Sequence, residues 1–460
     1  TIPGFSCYRS VEKTIADIQQ LPTQFPNLAR IEDIGDSWMR QNGQGGNDIL
    51  ALVLTNQNRP GPKPPLVIIS AIHAREYATA ELATRFAEEL LNGYDQDADA
   101  TWLLDEFEIH IIPQLNPDGR GIAEVNSTRF KRKNDNTNFC NNGDTTSRGV
   151  DLNRNSTVLW GGLGTSTNEC SDVYRGPNAA SEPETQAIEA YMGTVFTDQR
   201  PGDHNDLQIA APDDAEGMFI SIHSFSELVL FPWEGVANNS SNHAAMRTLS
   251  RKLAFFNDYA ACQDCLGQTA GTTVDYAYGE YGVASLTYEI GTTFFQSCNS
   301  FNNTVLPDNL ASLRFAAKSA RRPYQQPGAP EAINVQVSID QASPNIATLS
   351  AQIDDTRRRQ VSDDGGEPAD SADNISAAYY TIDTPEWAGA SLIPMQSTDG
   401  QFNSATEMAQ AQIDTSTLSL GRHLLFVYGE DSSGLGVPSA VFLEVVQNDQ
   451  ILRDSFEAQP

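Results

Sequence analysis

A histidine and a glutamate stand three residues apart in Ile72-His73-Ala74-Arg75-Glu76, directly after the apolar run Leu66–Ala71. An H-x-x-E pair at a strand's carboxyl end puts an imidazole and a carboxylate on one short turn, where both can ligate one metal ion. Zinc accepts nitrogen and carboxylate oxygen at about 2 Å, and a catalytic site leaves one position to water. Alone the motif is common, and a surface pair or a satisfied buried histidine is its ordinary reading. A third ligand must come from a distant strand end, and Ile220-Ser221-Ile222-His223 supplies one. His73 and His223 are two of six histidines, and both close apolar runs, where open α/β sheets carry their active sites. His110, His204, His243 and His423 lack that setting and are read as structural or solvent-facing.

Bringing such distant side chains together requires a sheet. Apolar runs at Ile49–Thr55, Leu66–Ala71, Ile109–Leu115, Phe219–His223 and Leu286–Ile290 have buried-strand length and β-branched content. Amphipathic stretches lie between and around them, at Val11–Gln20, Ala78–Leu91, Glu184–Val195, Ala244–Tyr259 and Leu310–Ala320. Ser181-Glu182-Pro183-Glu184 reads as a helix start, with Ser181 as the cap, Pro183 in the first turn and Glu184 reaching back. The alternation predicts an α/β domain over residues 1–325, a mixed central sheet flanked by helices. Prolines 323, 327 and 330 with Gly328 mark a linker at 326–332. Beyond it, short alternating runs without a convincing helix predict an all-β sandwich over 333–448, followed by a tail at 449–460. Within that region Val361–Asn374 is acidic and rich in Gly, Ser and Asp, as an exposed loop is.

The chain has 460 residues and a net charge of −31. That length favours two or three domains, and that charge disfavours nucleic acid as a partner. No apolar run has bilayer-spanning length. The first residue is Thr1, which fits a removed signal peptide or a late start. Six cysteines fit a disulfide-permissive compartment or, alternatively, reduced core thiols. Together these point to a secreted or periplasmic protein.

Four motifs, in this order, resemble those of the zinc carboxypeptidase A/B/T family: His73-Ala-Arg75-Glu76, Gly149-Val-Asp151-Leu-Asn153-Arg154-Asn155, Ser221-Ile-His223-Ser-Phe225 and Ser285-Leu-Thr-Tyr-Glu289. The likeness covers roughly residues 1–325 and looks closest to secreted bacterial members. It implies one zinc per chain, held by His73, Glu76 and His223, with Glu289 as general base. Arg132, in the stretch Arg129-Phe-Lys-Arg132, would stabilise the oxyanion. A solvated basic loop is the plainer reading of that stretch. Asn153 and Arg154 would grip a substrate's terminal carboxylate, with Arg75 and Arg129 along the approach and Asp151 orienting His73. The implied activity is hydrolysis of the last peptide bond of peptides or proteins with a free carboxyl end, by a monomer.

The likeness has gaps. A lid tyrosine of many relatives falls here on Gly267, so its role is absent or passes to a neighbour such as Tyr259 or Tyr281. Phe225 replaces another tyrosine. The specificity position falls on Val274, which implies apolar or aromatic end residues; a shift onto the adjacent Asp275 would imply basic ones. Cys140 and Cys170 match a family disulfide. Cys262 and Cys265 form a C-x-x-C that fits a tight disulfide better than a redox or metal site, which leaves Cys7 with Cys298. Two competing readings share the motifs. One is a zinc deacylase or cell-wall peptide hydrolase on the same scaffold. The other is a binding protein without catalysis, which would need one of His73, Glu76, His223 and Glu289 to be missing.

Overall fold

The computed structural model describes residues 1–340, 343, 345–358 and 369–446. Most of the expected acidic loop, at 361–368, lies outside them, as do residues 447 and 448 and the whole expected tail. The chain divides into two compact units. The first holds Thr1–Asn92 and Leu103–Tyr324; the second holds Gly93–Trp102, Gln325–Arg357 and the described residues from Ser371 onward.

The first unit is built on an eight-stranded mixed sheet. Its strands are β1 (Ala29–Asp36), β2 (Asp48–Leu54), β3 (Pro65–Ser70), β4 (Glu108–Ile112), β5 (Met218–His223), β6 (Leu228–Leu230), β7 (Ala260–Cys262) and β8 (Ala284–Glu289). Their spatial order is β1-β2-β4-β3-β5-β8-β6-β7. The stretch β4-β3-β5-β8 is parallel throughout. Parallel strands are covered on both faces, which is why β3 and β5 read as unbroken apolar runs rather than alternating ones. Leu66, Val67, Ile68 and Ile69 are all fully buried.

Helices Val11–Gln24, Tyr77–Gly93, Pro183–Val195, His243–Asn257 and Leu306–Ser319 occupy the five expected amphipathic stretches. The helix start at Pro183 differs in detail. Its cap position is Glu182, without a side-chain cap bond. Ser181 Oγ instead donates to Glu182 Oε1 at 2.9 Å, and Glu184 Oε1 accepts the Trp38 N–H at 2.8 Å. Tertiary partners have outbid the local capping motif for both side chains. Strands β1, β6 and β7 were not expected. β1 is mostly half-buried and shows no alternation, and the other two have three residues each.

The second unit has two antiparallel sheets. One orders Gln396–Ser397, Thr406–Asp414, Ile346–Asp354 and Glu331–Ile339; the other is centred on Gly421–Asp431, between Ala377–Ile382 and Ser439–Val445. Buried residues of both sheets, among them Leu349, Ala409, Tyr380 and Leu425, share one apolar cluster. Gly93–Trp102 belongs to this unit by contact, not by sequence position. Ala440 N donates to Asp99 Oδ1 at 2.9 Å, and Trp102 packs on Trp387 and Phe426.

Disulfides join Cys7 to Cys298, Cys140 to Cys170 and Cys262 to Cys265. Just before the Asp151 segment, Gly149 has φ +94°, and a Cβ there would lie 2.1 Å from the Asn134 carbonyl oxygen. Replacing Gly149 by alanine combines a left-handed backbone penalty with a clash against backbone. It should cost about 3 kcal/mol in urea unfolding; a loss near zero would show that this segment is free to shift.

Candidate active site

Because β3, β5 and β8 are adjacent and parallel, their carboxyl ends open on one side of the sheet, where crevices of open α/β folds form. The register pairs His223 directly with Glu289. Beyond Ser70 the chain turns through Ala71, whose φ of 51° is unusual for a residue with a side chain, and delivers His73 and Glu76. The turn is pinned from below. Arg120 is wholly buried and donates to the carbonyls of Ala74, Glu76 and Tyr77 at 3.4, 3.1 and 3.0 Å. Asn116 donates to the Ile72 carbonyl at 3.1 Å while its Oδ1 caps the helix Pro117–Ala123.

His73, Glu76 and His223 converge, all buried, with one donor atom of each within 4.8 Å of the others. They are the only such group among the described residues. His73 Nδ1 lies 2.8 Å from Glu76 Oε1 and 3.1 Å from His223 Nδ1; His223 Nδ1 lies 3.4 Å from Glu76 Oε2. Two ligands each about 2.05 Å from a tetrahedral ion stand about 3.3 Å apart, so these spacings suit a four-coordinate cation. The far nitrogens agree. His73 Nε2 faces Asp151 Oδ1 at 3.1 Å, and His223 Nε2 faces Ser221 Oγ at 2.8 Å. Both nitrogens of His73 face carboxylates; with a cation held by Nδ1 and Glu76, the proton would sit on Nε2, where Asp151 accepts it.

Electrostatics favour the same occupant. Burial opposes ionisation of Glu76, yet the two imidazoles carry its pKa well below the carboxylate range. Burial and Arg132 push His73 down, towards the neutral ligand form. His223 moves up despite burial, because Glu76 accepts from it and attracts its proton. A bound cation displaces that proton.

Glu289 is half-buried at the end of β8, and desolvation pushes its pKa up, partly offset by His223. Asp151, wholly buried, holds Arg132 through Nε at 3.1 Å and Nη2 at 2.9 Å and also accepts the Asn153 N–H at 3.1 Å. Arg154 donates from Nε to the Gly164 carbonyl at 2.9 Å and from Nη1 to the Asn153 carbonyl at 2.8 Å. His73, Arg132, Asn153, Arg154 and Glu289 line one cavity of about 160 Å³.

Other expected site residues lie elsewhere. Arg75 pairs with Asp172 at 3.2 Å and stacks over Phe294, and Arg129 stacks over Phe130 and Phe295; neither lines the cavity. Val274 does not line the cavity. It is fully buried in the core with Ile188, Met192 and Ala277, because the helix Thr273–Tyr281 turns that face inward. Neither proposed substitute for the lid tyrosine reaches the cavity. The Tyr259 hydroxyl is held by the Gly291 N–H and Asn309, and the Tyr281 hydroxyl lies against Tyr276. Gly267 itself is part of the lining, in the loop that the Cys262–Cys265 disulfide closes.

Sequence reasoning missed Arg120, Asn116, Ser221 and Glu234. The Asn116-Pro117 pair carries a helix-start signal, but nothing local marks an arginine whose partners are backbone carbonyls. Glu234 follows a three-residue strand and lines the cavity.

A family model described as zinc carboxypeptidase matches residues 14–308. Zinc carboxypeptidase A 1 of Anopheles gambiae is 28% identical over 312 residues, 66% of this chain and 63% of that protein. Metallocarboxypeptidase A of Trichophyton rubrum is 30% identical over 302 residues, 64% of this chain and 65% of that one. The chain thus spans somewhat under two thirds of the length of these curated relatives. The crystal structure of carboxypeptidase A from Helicoverpa armigera superposes with a TM-score of 0.56 at 24% identity, covering 69% of this chain and 74% of that one, a likeness of fold.

Replacing Asp151 by alanine removes the acceptor that fixes His73. Zinc affinity measured by competition with a chromophoric chelator should fall about 10- to 100-fold. Unchanged affinity would mean that His73 is oriented by something else.

Proposed function

The chain belongs to the zinc carboxypeptidase family, and we propose that it removes the last residue of peptides or proteins that end in a free carboxylate. The observation that carries this reading is that one cavity is lined both by the converged metal-ligand group, through His73, and by the buried guanidinium of Arg154.

His73, Glu76 and His223 would hold one zinc ion, a role their mixed nitrogen and oxygen donors fit. When bound, zinc acidifies a coordinated water to near pH 7 and polarises the scissile carbonyl. Glu289 takes the proton of the attacking water and hands it to the departing amine. A carboxylate whose pKa is raised by burial suits both directions of that transfer. Arg132, fixed by Asp151, presents positive charge where the oxyanion develops. Asn153 and Arg154 bind the terminal carboxylate, Arg154 as a planar fork. An internal peptide segment offers that fork no anion, and leaving a buried guanidinium unpaired is costly. Exopeptidase selectivity follows from that penalty.

Three disulfides suit an oxidising compartment, and no helix among the described residues is long and apolar enough to cross a membrane. Both support reading the protein as secreted or periplasmic. The region 333–448 is read as an accessory domain joined through 326–332.

The test is a peptide mixture with free ends beside the same mixture amidated, followed by mass over time with and without chelator. Stepwise loss of the last residue from free ends alone, abolished by chelation, is expected. Equal cleavage of amidated peptides would remove the role given to Arg154. A Glu289→Gln variant should keep its zinc and lose turnover by at least about a thousandfold. Residual turnover within tenfold of the parent would exclude Glu289 as the base.

A further inference from the structure

Of the residues lining the cavity, catalysis and carboxylate binding use five; among the rest Glu234 alone carries a formal charge. Its backbone is fixed on both sides. The N–H groups of Glu234 and Gly235 donate to the two oxygens of buried Asp275, each at 2.8 Å, and the Glu234 carbonyl accepts from Thr269 at 2.7 Å. Asp275 is thereby consumed in holding this loop, and Val274 faces the core. Neither of the two positions from which the sequence suggested selectivity lines the cavity.

The Glu234 side chain is only 6% exposed. Its Oε1 accepts from the Thr287 hydroxyl at 2.6 Å, and among the described residues no cation pairs with it within 4.0 Å. Gln263, Thr269 and Thr287 complete a polar wall beside Leu230 and Leu266. The Thr272 hydroxyl also bonds this carboxylate, and a carboxylate with two hydroxyl partners and no ion-pair partner retains acceptor capacity.

We infer that Glu234 is the specificity residue of this cavity and selects a cationic last residue, lysine or arginine. This rests on the carboxypeptidase reading above. An apolar end residue would seal Glu234 from water with only His223 and Arg154, neither within ion-pair distance, to offset its charge, whereas an ammonium or guanidinium compensates it directly and is itself compensated. Acidic end residues meet like charge. The plainer role for Glu234 is counter-charge to Arg154, which Asp151, 3.9 Å from Nη1, also attracts. The two roles differ in outcome. A counter-charge affects every substrate alike; a selectivity residue changes the ratio between them.

The experiment measures kcat/KM of the zinc-loaded full chain on peptides identical except for a final Arg, Lys, Phe, Leu or Glu. Arg and Lys ends should lead Phe and Leu ends by about 100-fold, with Glu slowest. In Glu234→Gln the arginine-to-phenylalanine ratio should fall to near one. A variant that loses all substrates in equal proportion overturns the inference. So does a parent enzyme that prefers Phe or Leu, a result needing no variant and leaving the carboxypeptidase reading intact. Release of no residue from any free-ended peptide would instead defeat that underlying reading.

Discussion

One buried carboxylate ties the active site together. Asp151 faces the Nε2 of His73, receives two bonds from Arg132 and accepts the amide of Asn153. The proposed metal-ligand group, the proposed oxyanion cation and the segment carrying the proposed carboxylate anchor therefore share a single reference point. Burying such a charge costs several kcal/mol unless it is paired and hydrogen-bonded. Arg132 supplies the pairing, and despite burial the surrounding cations hold the Asp151 pKa well below the ordinary carboxylate range. The Asp151 N–H in turn donates to the Tyr174 carbonyl at 2.9 Å, so the hub is itself anchored.

The sheet sets the other coordinates. Parallel strands in register place His223 opposite Glu289, and the short turn after β3 brings His73 and Glu76 to the same end. The scaffold beneath is almost wholly apolar, while the crevice above concentrates buried charge. Arg120 and Asn116 join the two layers, because they satisfy carbonyls of a turn that departs from the sheet ladder and would otherwise be orphaned.

Four motifs that resemble one family pointed to the ligand triad and to Glu289, and His73 and His223 were marked besides by closing apolar runs, which periodicity detects best. The same logic found β2, β3, β4, β5 and β8 and five helices. It failed where information lies in orientation. Nothing in the pattern of Thr273–Tyr281 says which side of the helix meets the core, and Val274, placed at the specificity position by resemblance, lies in the core and does not line the cavity. Glu234 escaped notice because β6, three residues long, has no measurable period. Ser181 looked like a helix cap on local grammar, but a neighbouring carboxylate claimed its hydroxyl. Arg120 was invisible because its partners are main-chain oxygens, which carry no residue identity.

The central claim is that two imidazoles and one carboxylate share one metal ion. It is tested most directly by anomalous diffraction at the zinc absorption edge from crystals of the purified protein. The account predicts one anomalous peak per chain, about 2 Å from His73 Nδ1, His223 Nδ1 and a Glu76 oxygen. A peak ligated elsewhere, or none in zinc-supplemented crystals, would contradict it.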